Sequence, residues 1–158
     1  LLKILLDEFK EDPAAHNLVF DVSLPERAPI HATRSEILRG LSNVLDNAVR
    51  KCNEKWGEKI GGVISVNLEA RTDEWNLVIA DNGPGISPEI EDQIFESFHS
   101  AGKTAGKWGS SGHGLGLSIA ARVFGVHGGG IEFLRKPPLE GAAFRITLPK
   151  ARSQNGEE

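Results

Sequence analysis

The hydrophobic and polar positions along this chain alternate with two periods, one typical of strands and the other of helices. Apolar residues at every second position of 18–24 predict a half-buried strand. Strand patterns at 63–70 and 75–80, separated by four polar residues, predict a hairpin. Two closing strands are expected at 131–134 and 142–148. The chain should therefore contain about five strands.

Other segments repeat apolar residues at helical spacing. This spacing predicts a helix at 1–10, a long helix that begins after Thr33, a short helix at 89–95 and a further helix at 115–126. Thr33 followed by Glu36 matches a capping box, in which each side chain bonds a free amide at the helix start. The order of elements predicts an α+β fold, a two-layer sandwich with a mixed sheet of about five strands packed on about three helices.

The chain length and charge limit the possible organisation. A length of 158 residues suits one domain with a real core, which we expect at 1–150, with 1–12 as a helix leading in from an upstream segment and 151–158 as a disordered tail. A net charge of -4 argues against nucleic acid as a partner. The chain starts with leucine and contains no methionine, so we expect it to be part of a longer protein.

Cysteine content and hydropathy bear on the compartment. Cys52 is the single cysteine and cannot close an internal disulfide, which suits a reducing compartment. No apolar run approaches the roughly 20 residues needed to cross a bilayer, and residues 1–9 are too polar for a signal peptide. We therefore expect a cytoplasmic location and no membrane contact by this chain, while a longer parent protein could still be anchored in an inner membrane.

An acidic glycine turn follows the second hairpin strand. Asp81 is placed to accept a hydrogen bond from an exocyclic amine, which adenine has and guanine lacks at the equivalent ring position. Gly83 and Gly85 carry no Cβ, so a planar base can approach the backbone closely. Taken alone, this motif is more often an ordinary turn after a strand.

The polar face of the long helix offers metal and phosphate ligands. Asn43 and Asn47 lie four residues apart and Arg50 three further on, so all three project from one side. An asparagine carbonyl is a hard oxygen ligand suited to magnesium, and Arg50 or Lys51 could meet a phosphate. A solvated helix face explains the same pattern at least equally well.

A glycine-rich helix entry completes the candidate site. Gly112, Gly114 and Gly116 precede a helix whose free amides and dipole favour anions. Phosphates should therefore lie against the backbone nitrogens of His113, Gly114 and Leu115. A glycine-rich entry can also simply be flexible, but the three features in this order predict a site for a nucleotide and its metal.

Competing motifs fail on spacing. Gly102-Lys103-Thr104 lacks the first glycine and the preceding strand of a phosphate-loop NTPase, and no third glycine completes a dinucleotide fingerprint. The five histidines show no zinc-binding spacing.

Four segments in order resemble the ATP-binding catalytic domain of two-component sensor histidine kinases, in the superfamily shared with gyrase, the heat-shock chaperone of that fold and mismatch-repair ATPases. Residues 43–48 look like the N box, 81–86 like the G1 box, 94–98 like the F box and 112–117 like the G2 box. The resemblance covers roughly 1–149 and implies a Bergerat-type ATP-binding fold.

The resemblance implies a role for each matching position. Asn47 would hold magnesium, Asn43 and Arg50 would assist with metal and phosphates, and Asp81 would bind the adenine amine. Further ATP contacts would come from Lys51, Gly83, Gly85, Ile86, Gly112, His113, Gly114, Leu115, Gly116 and Leu117.

The resemblance also implies an ATP lid at about 96–111. Phe95 and Phe98 would anchor this lid, although core packing is an equally good explanation of two phenylalanines. Lys103 or Lys107 would reach the γ-phosphate from within the lid.

Three departures from the family pattern bear on the chemistry. Arg50-Lys51 stands where lysine before an aromatic residue is usual, the segment 52–60 is longer than typical, and His113 replaces a small residue. In the superfamily's hydrolases and serine kinases, a glutamate base lies four residues before the metal-binding asparagine. Asn43 holds that place here and cannot accept a proton, which favours histidine phosphorylation over ATP hydrolysis.

The implied function is a histidine kinase that donates the γ-phosphate of Mg-ATP. None of the histidines lies in a phosphoacceptor context, so the acceptor is expected on a dimerisation domain of the same parent protein, with a response regulator downstream. The chain should be monomeric and its parent homodimeric. Two alternatives remain open: a superfamily ATPase or protein serine kinase, and a nucleotide-binding module without catalysis.

Overall fold

The computed structural model describes residues 1–96 and 115–151. In this part of the chain, a layer of three α-helices packs on a five-stranded sheet, and the predicted α+β sandwich is confirmed. The helices are α1 (Leu2–Glu11), α2 (Arg34–Trp56) and α3 (Gly116–Val126). The strands are β1 (Leu18–Ser23), β2 (Gly62–Ala70), β3 (Glu74–Asp81), β4 (Gly130–Phe133) and β5 (Ala143–Pro149).

The sheet is mixed, with the strand order β1-β2-β3-β5-β4. β1 runs parallel to β2, whereas the other three neighbouring pairs are antiparallel. The register pairs Ile64 with Asp81 and Val66 with Ile79. Because side chains alternate between the two faces of a strand, Leu77, Ile79 and Asp81 share one face of β3, and all three are buried. The alternation therefore turns Asp81 toward the helical layer.

Helix α2 buries an apolar stripe and keeps its polar side chains on the opposite face. Its buried residues are Ile37, Gly40, Leu41, Val44, Leu45, Ala48, Val49 and Cys52. Helix α3 adds Ala120, Val123 and Phe124 to the same core, where each large apolar side chain contributes roughly 1.5–3 kcal/mol. Within the described ranges, no helix is both long enough and apolar enough to cross a membrane.

The predicted capping box at the start of α2 was wrong. The Thr33 side chain makes no cap hydrogen bond, and Glu36 lies beside a histidine instead of reaching back. The Thr33 backbone N–H donates to Nε2 of His127 at 3.2 Å, and the Glu36 carboxylate lies 3.3 Å from the same nitrogen. A side chain at the end of α3 therefore replaces the local cap.

The short helix predicted at 89–95 is confined to a 3-10 turn over Glu91–Gln93. Ile94 is buried in the core, and Phe95 packs edge-on against Phe144 with ring centroids 6.0 Å apart. The N–H groups of Gln93 and Glu96 bond the backbone oxygens three residues earlier, so the segment closes as 3-10 turns instead of an α-helix.

Replacing Phe124 by alanine should destabilise the chain by about 3–5 kcal/mol, because the ring is fully buried and leaves a cavity. Val126→Ala provides the matched control, since Val126 is 67% exposed on the same helix and should change stability by less than about 0.5 kcal/mol. Urea unfolding of both variants measures the difference. Equal effects would contradict the core assignment.

Candidate functional site

Asp81 is a buried carboxylate at the carboxyl end of β3. Its side chain is only 1% exposed, and its Oδ1 accepts hydrogen bonds from the backbone N–H groups of Gly83 at 2.8 Å and Ala142 at 3.3 Å. Burial raises the pKa of Asp81, while the two N–H groups and the nearby Lys51 act in the opposite direction. Both donors converge on Oδ1, so they leave Oδ2 as the oxygen available to a ligand.

Gly141 lets the chain approach this carboxylate closely. A Cβ at Gly141 would collide with Oδ1 and the backbone oxygen of Asp81 and would lie 2.6 Å from the nitrogen of Gly83. The Gly141 N–H instead donates to the Asp81 backbone oxygen at 3.0 Å. The sequence interpretation missed Gly141, and nothing in its local sequence distinguishes it from other loop glycines.

Asn82 fixes the turn that follows Asp81, a role that the sequence interpretation also missed. Its Oδ1 accepts from the N–H of Val63 at 2.8 Å and from Nε1 of Trp56 at 3.1 Å. Its Nδ2 donates to the oxygen of Gly61 at 2.8 Å. One amide thus joins the end of β3 to the start of β2 and the end of α2.

Helix α2 approaches both this turn and the start of α3. A Cβ on Gly83 would lie 2.8 Å from the backbone oxygen of Lys51, and a Cβ on Gly116 would lie 3.2 Å from Oδ1 of Asn43. Gly85 has a φ of +79°, a conformation that side-chain-bearing residues rarely adopt. The turn of the G1 box therefore lies against Lys51, and Gly116 of the G2 box lies against Asn43 of the N box, about two turns earlier on α2.

The amide of Asn47 offers a single hard oxygen. Asn47 is half-buried, and its Oδ1 accepts from Nη2 of Arg50 at 2.9 Å. Asn43 donates to the backbone oxygen of Arg39 at 2.8 Å. Residues 1–96 and 115–151 hold no group of three or more His, Cys, Asp or Glu side chains that could cage a metal. This donor set fits magnesium, which keeps waters and takes phosphate oxygens besides one or two protein ligands.

Only part of the predicted lid and of the glycine-rich helix entry lies among the described residues. Leu115 is the N-cap of α3, Gly116 begins the helix and Leu117 is half-buried, as is Ile86 in the turn after β3. Phe95 packs on the core, which both interpretations of this residue allow. The following predicted residues lie outside the described part of the chain: Phe98, Lys103, Lys107, Gly112, His113 and Gly114.

A cavity of about 510 Å³ lies at the tip of the β2–β3 hairpin, at the opposite end of β3 from Asp81. Its charged lining is already paired in part, since Arg71 contacts Glu69 and Arg145 contacts Glu132. The polar groups that converge on a buried carboxylate lie at Asp81, so we place the candidate ligand site at that end of β3.

Gly141→Ala should lower the stability of the chain and abolish ligand binding at Asp81, because the added Cβ collides with the carboxylate and with backbone atoms. Gly125→Ala is the matched control: a Cβ there meets nothing within 4 Å, and alanine in a helix should stabilise by up to about 1 kcal/mol. Thermal unfolding compares the two variants. A stable Gly141→Ala protein would contradict the close approach.

Comparison with known proteins connects this geometry to a family. The sequence profile described as "Histidine kinase-, DNA gyrase B-, and HSP90-like ATPase" matches residues 32–152. The adaptive-response sensory kinase SasA of Prochlorococcus marinus (strain MIT 9303) is 33% identical over 144 residues, which are 90% of this chain and 36% of that protein. The sensor protein KdpD of Escherichia coli (strain K12) is 35% identical over 87% of this chain and 14% of its own length.

Solved structures show the same similarity. The mycobacterial sensor histidine kinase MprB matches with a TM-score of 0.72 at 29% identity, covering 94% of this chain and 93% of that one. The catalytic domain of the histidine kinase ThkA matches with a TM-score of 0.71 at 26% identity, covering 94% and 91%. The chain spans little more than a third of the length of the SasA relative above and matches nearly all of these catalytic-domain structures.

Proposed function

Since the chain belongs to the histidine kinase-, DNA gyrase B- and HSP90-like ATPase family, we propose that it binds Mg-ATP and donates the γ-phosphate to a histidine in two-component signalling. The observation that carries this proposal is that α2 borders both halves of the site. Gly83, whose N–H donates to Asp81, lies against the backbone of Lys51, and Gly116 lies against Asn43 about two turns earlier on the same helix. The acceptor histidine lies on a dimerisation domain outside this chain.

The adenine base is recognised by Asp81. Its Oδ1 is occupied by two backbone donors, so Oδ2 accepts the exocyclic amine of adenine. Guanine carries a carbonyl oxygen at that ring position, and two acceptors facing each other in a buried site repel. Gly83 and Gly85 provide the flat backbone surface, with Ile86 beside them. A similar full-length protein, ShkA, was solved in complex with AMPPNP, which supports an adenine nucleotide as the ligand.

The triphosphate lies along the polar face of α2. Asn47 holds the magnesium ion through its amide oxygen, and magnesium when bound neutralises charge on the phosphate oxygens. Arg50 and Lys51 reach the phosphates as cations, and the amides at the start of α3, at Leu115 and Gly116, face the same anion. In this proposal, phosphate contacts are also assigned to Gly112, His113 and Gly114, the anchoring of a lid to Phe95 and Phe98, and a contact with the γ-phosphate to Lys103 or Lys107.

The transfer is a phosphoryl exchange without a protein base. A ring nitrogen of the acceptor histidine forms a bond to the γ-phosphorus as the bond to the bridging oxygen breaks, ADP leaves, and the imidazole releases its proton to solvent. Asn43 occupies the place of the superfamily's base and contributes an amide oxygen near Gly116. The site therefore acts by positioning and charge neutralisation.

The partners follow from this chemistry. The chain acts in the cytoplasm, as a monomer by itself and as part of a homodimeric parent protein that carries the acceptor histidine. A response regulator then takes the phosphoryl group. The similarity to SasA and KdpD, sensory proteins by name, supports a role in signalling.

Asp81→Asn should weaken ATP binding about 100-fold, because the amide group that replaces Oδ2 meets the adenine amine as a second donor. The Asp81→Asn variant should nevertheless be at least as stable as the wild-type chain at neutral pH. Burial raises the pKa of Asp81, so the ionised carboxylate opposes folding above that pKa, and asparagine removes the charge while keeping an acceptor for both N–H groups.

The stability gain of Asp81→Asn should disappear as the pH is lowered through the raised pKa, because the wild-type carboxyl then becomes neutral as well. Calorimetric titration with ATP and urea unfolding at several pH values measure both effects. Unchanged ATP affinity would contradict the adenine assignment.

Asn47→Asp should reduce phosphoryl transfer about 100-fold, because the new carboxylate pairs with Arg50 and repels the phosphates. Transfer from radiolabelled ATP to a supplied histidine-bearing dimerisation domain measures this, with thermal unfolding as a check that the variant is folded. Undiminished transfer would contradict the proposed metal ligand. Steady phosphate release by the wild-type chain without any transfer would favour an ATPase instead.

A further inference from the structure

The arginine of the α2 polar face is held between two side chains. Nη2 of Arg50 donates to Oδ1 of Asn47 at 2.9 Å, and Nη1 of the same guanidinium donates to Oε1 of Glu54 at 3.1 Å. The second oxygen of Glu54 lies 2.7 Å from Nζ of Lys51. The carboxylate of Glu54 therefore contacts Arg50 and Lys51, the two α2 cations that are proposed to reach the phosphates.

We propose that Glu54 is a positioning residue that keeps Arg50 on the metal-binding oxygen of Asn47 until the magnesium nucleotide arrives. The inference rests on the function proposed above and extends it to a residue with no role in the family comparison. Glu54 thereby lowers the affinity of the site for magnesium nucleotide and sets how strongly nucleotide binding depends on the metal.

The physical reason is that two cations compete for one oxygen. Magnesium binds oxygen at about 2.1 Å, and a guanidinium nitrogen that remains 2.9 Å from the same oxygen would face the ion at close range. Like charges at this separation repel, so Arg50 must leave Asn47 when the metal binds. The phosphates of the nucleotide are better acceptors for a planar guanidinium than an amide oxygen, and they receive it.

The strength of the restraint suits a contact that a ligand must break. Arg50 is 47% exposed and Glu54 41% exposed, so solvent screens the pair. An exposed pair at this spacing shifts an equilibrium by about twofold. Glu54 therefore adjusts affinity without preventing binding.

Glu54→Gln tests the proposal through calorimetric titration of ATP in magnesium and, separately, in EDTA. The ratio of the dissociation constant in EDTA to that in magnesium should rise about twofold, because the oxygen of Asn47 is freed for the metal. A purely through-space charge effect has the opposite sign, since removing a negative charge favours ATP⁴⁻ over MgATP²⁻. In nucleotide-free protein without metal, the NMR signal of the Asn47 side-chain amide should also shift.

Glu58→Gln is the matched control, because it removes the same charge just beyond α2 and leaves the contacts of Glu54 in place. In Glu58→Gln, the ratio of the dissociation constant in EDTA to that in magnesium should equal that of the wild type. An unchanged or lower ratio in Glu54→Gln, or an equal rise in Glu58→Gln, would overturn the role of Glu54 while leaving the proposed function intact. Absence of any binding by the wild-type chain would overturn the proposed function and this inference together.

Discussion

The structure of the site depends on one buried carboxylate. Asp81 lies where the alternation of β3 turns it toward the helices, and two backbone N–H groups converge on a single oxygen of its side chain. Burial without these donors would be strongly unfavourable for a charged group. The positions of Gly83 and Ala142 are therefore constrained by Asp81, and with them the turn after β3 and the entry to β5.

The surrounding residues keep Asp81 and the turn after β3 in position. Asn82 joins the turn to β2 and to Trp56 at the end of α2, and Gly141 permits the approach of β5. Helix α2 buries one stripe in the core and presents Asn47 on the other side, so its packing also orients the proposed metal ligand. The packing of β3 and α2 in the core thus positions Asp81 and Asn47, the residues proposed to contact adenine and magnesium.

The predictable features were those that depend on residues close in sequence. The period of two in β3 placed Asp81 correctly at a strand end, and the period of 3.6 in α2 separated Asn43 and Asn47 from the apolar stripe. Four motifs in order then identified the family, because their spacing together is far more specific than any one of them.

The features that could not be predicted depend on contacts between distant residues. The start of α2 is capped by His127, 94 residues away, so a local capping rule gave the wrong partner for Thr33. The donor from Ala142 reaches Asp81 across 61 residues, and only the completed fold shows why Gly141 has no side chain. Local patterns predict elements, whereas these contacts follow from sheet order and helix packing.

The most direct test of this account is an NMR titration of the ¹⁵N-labelled chain with Mg-ATP and, in parallel, with Mg-GTP. ATP should shift the signals of the backbone amides of Gly83 and Ala142 and of the side-chain amide of Asn47, whereas GTP at the same concentration should leave those of Gly83 and Ala142 largely unchanged. Equal shifts with both nucleotides, or ATP-induced shifts confined to the hairpin tip around Arg71 and Glu74, would contradict it.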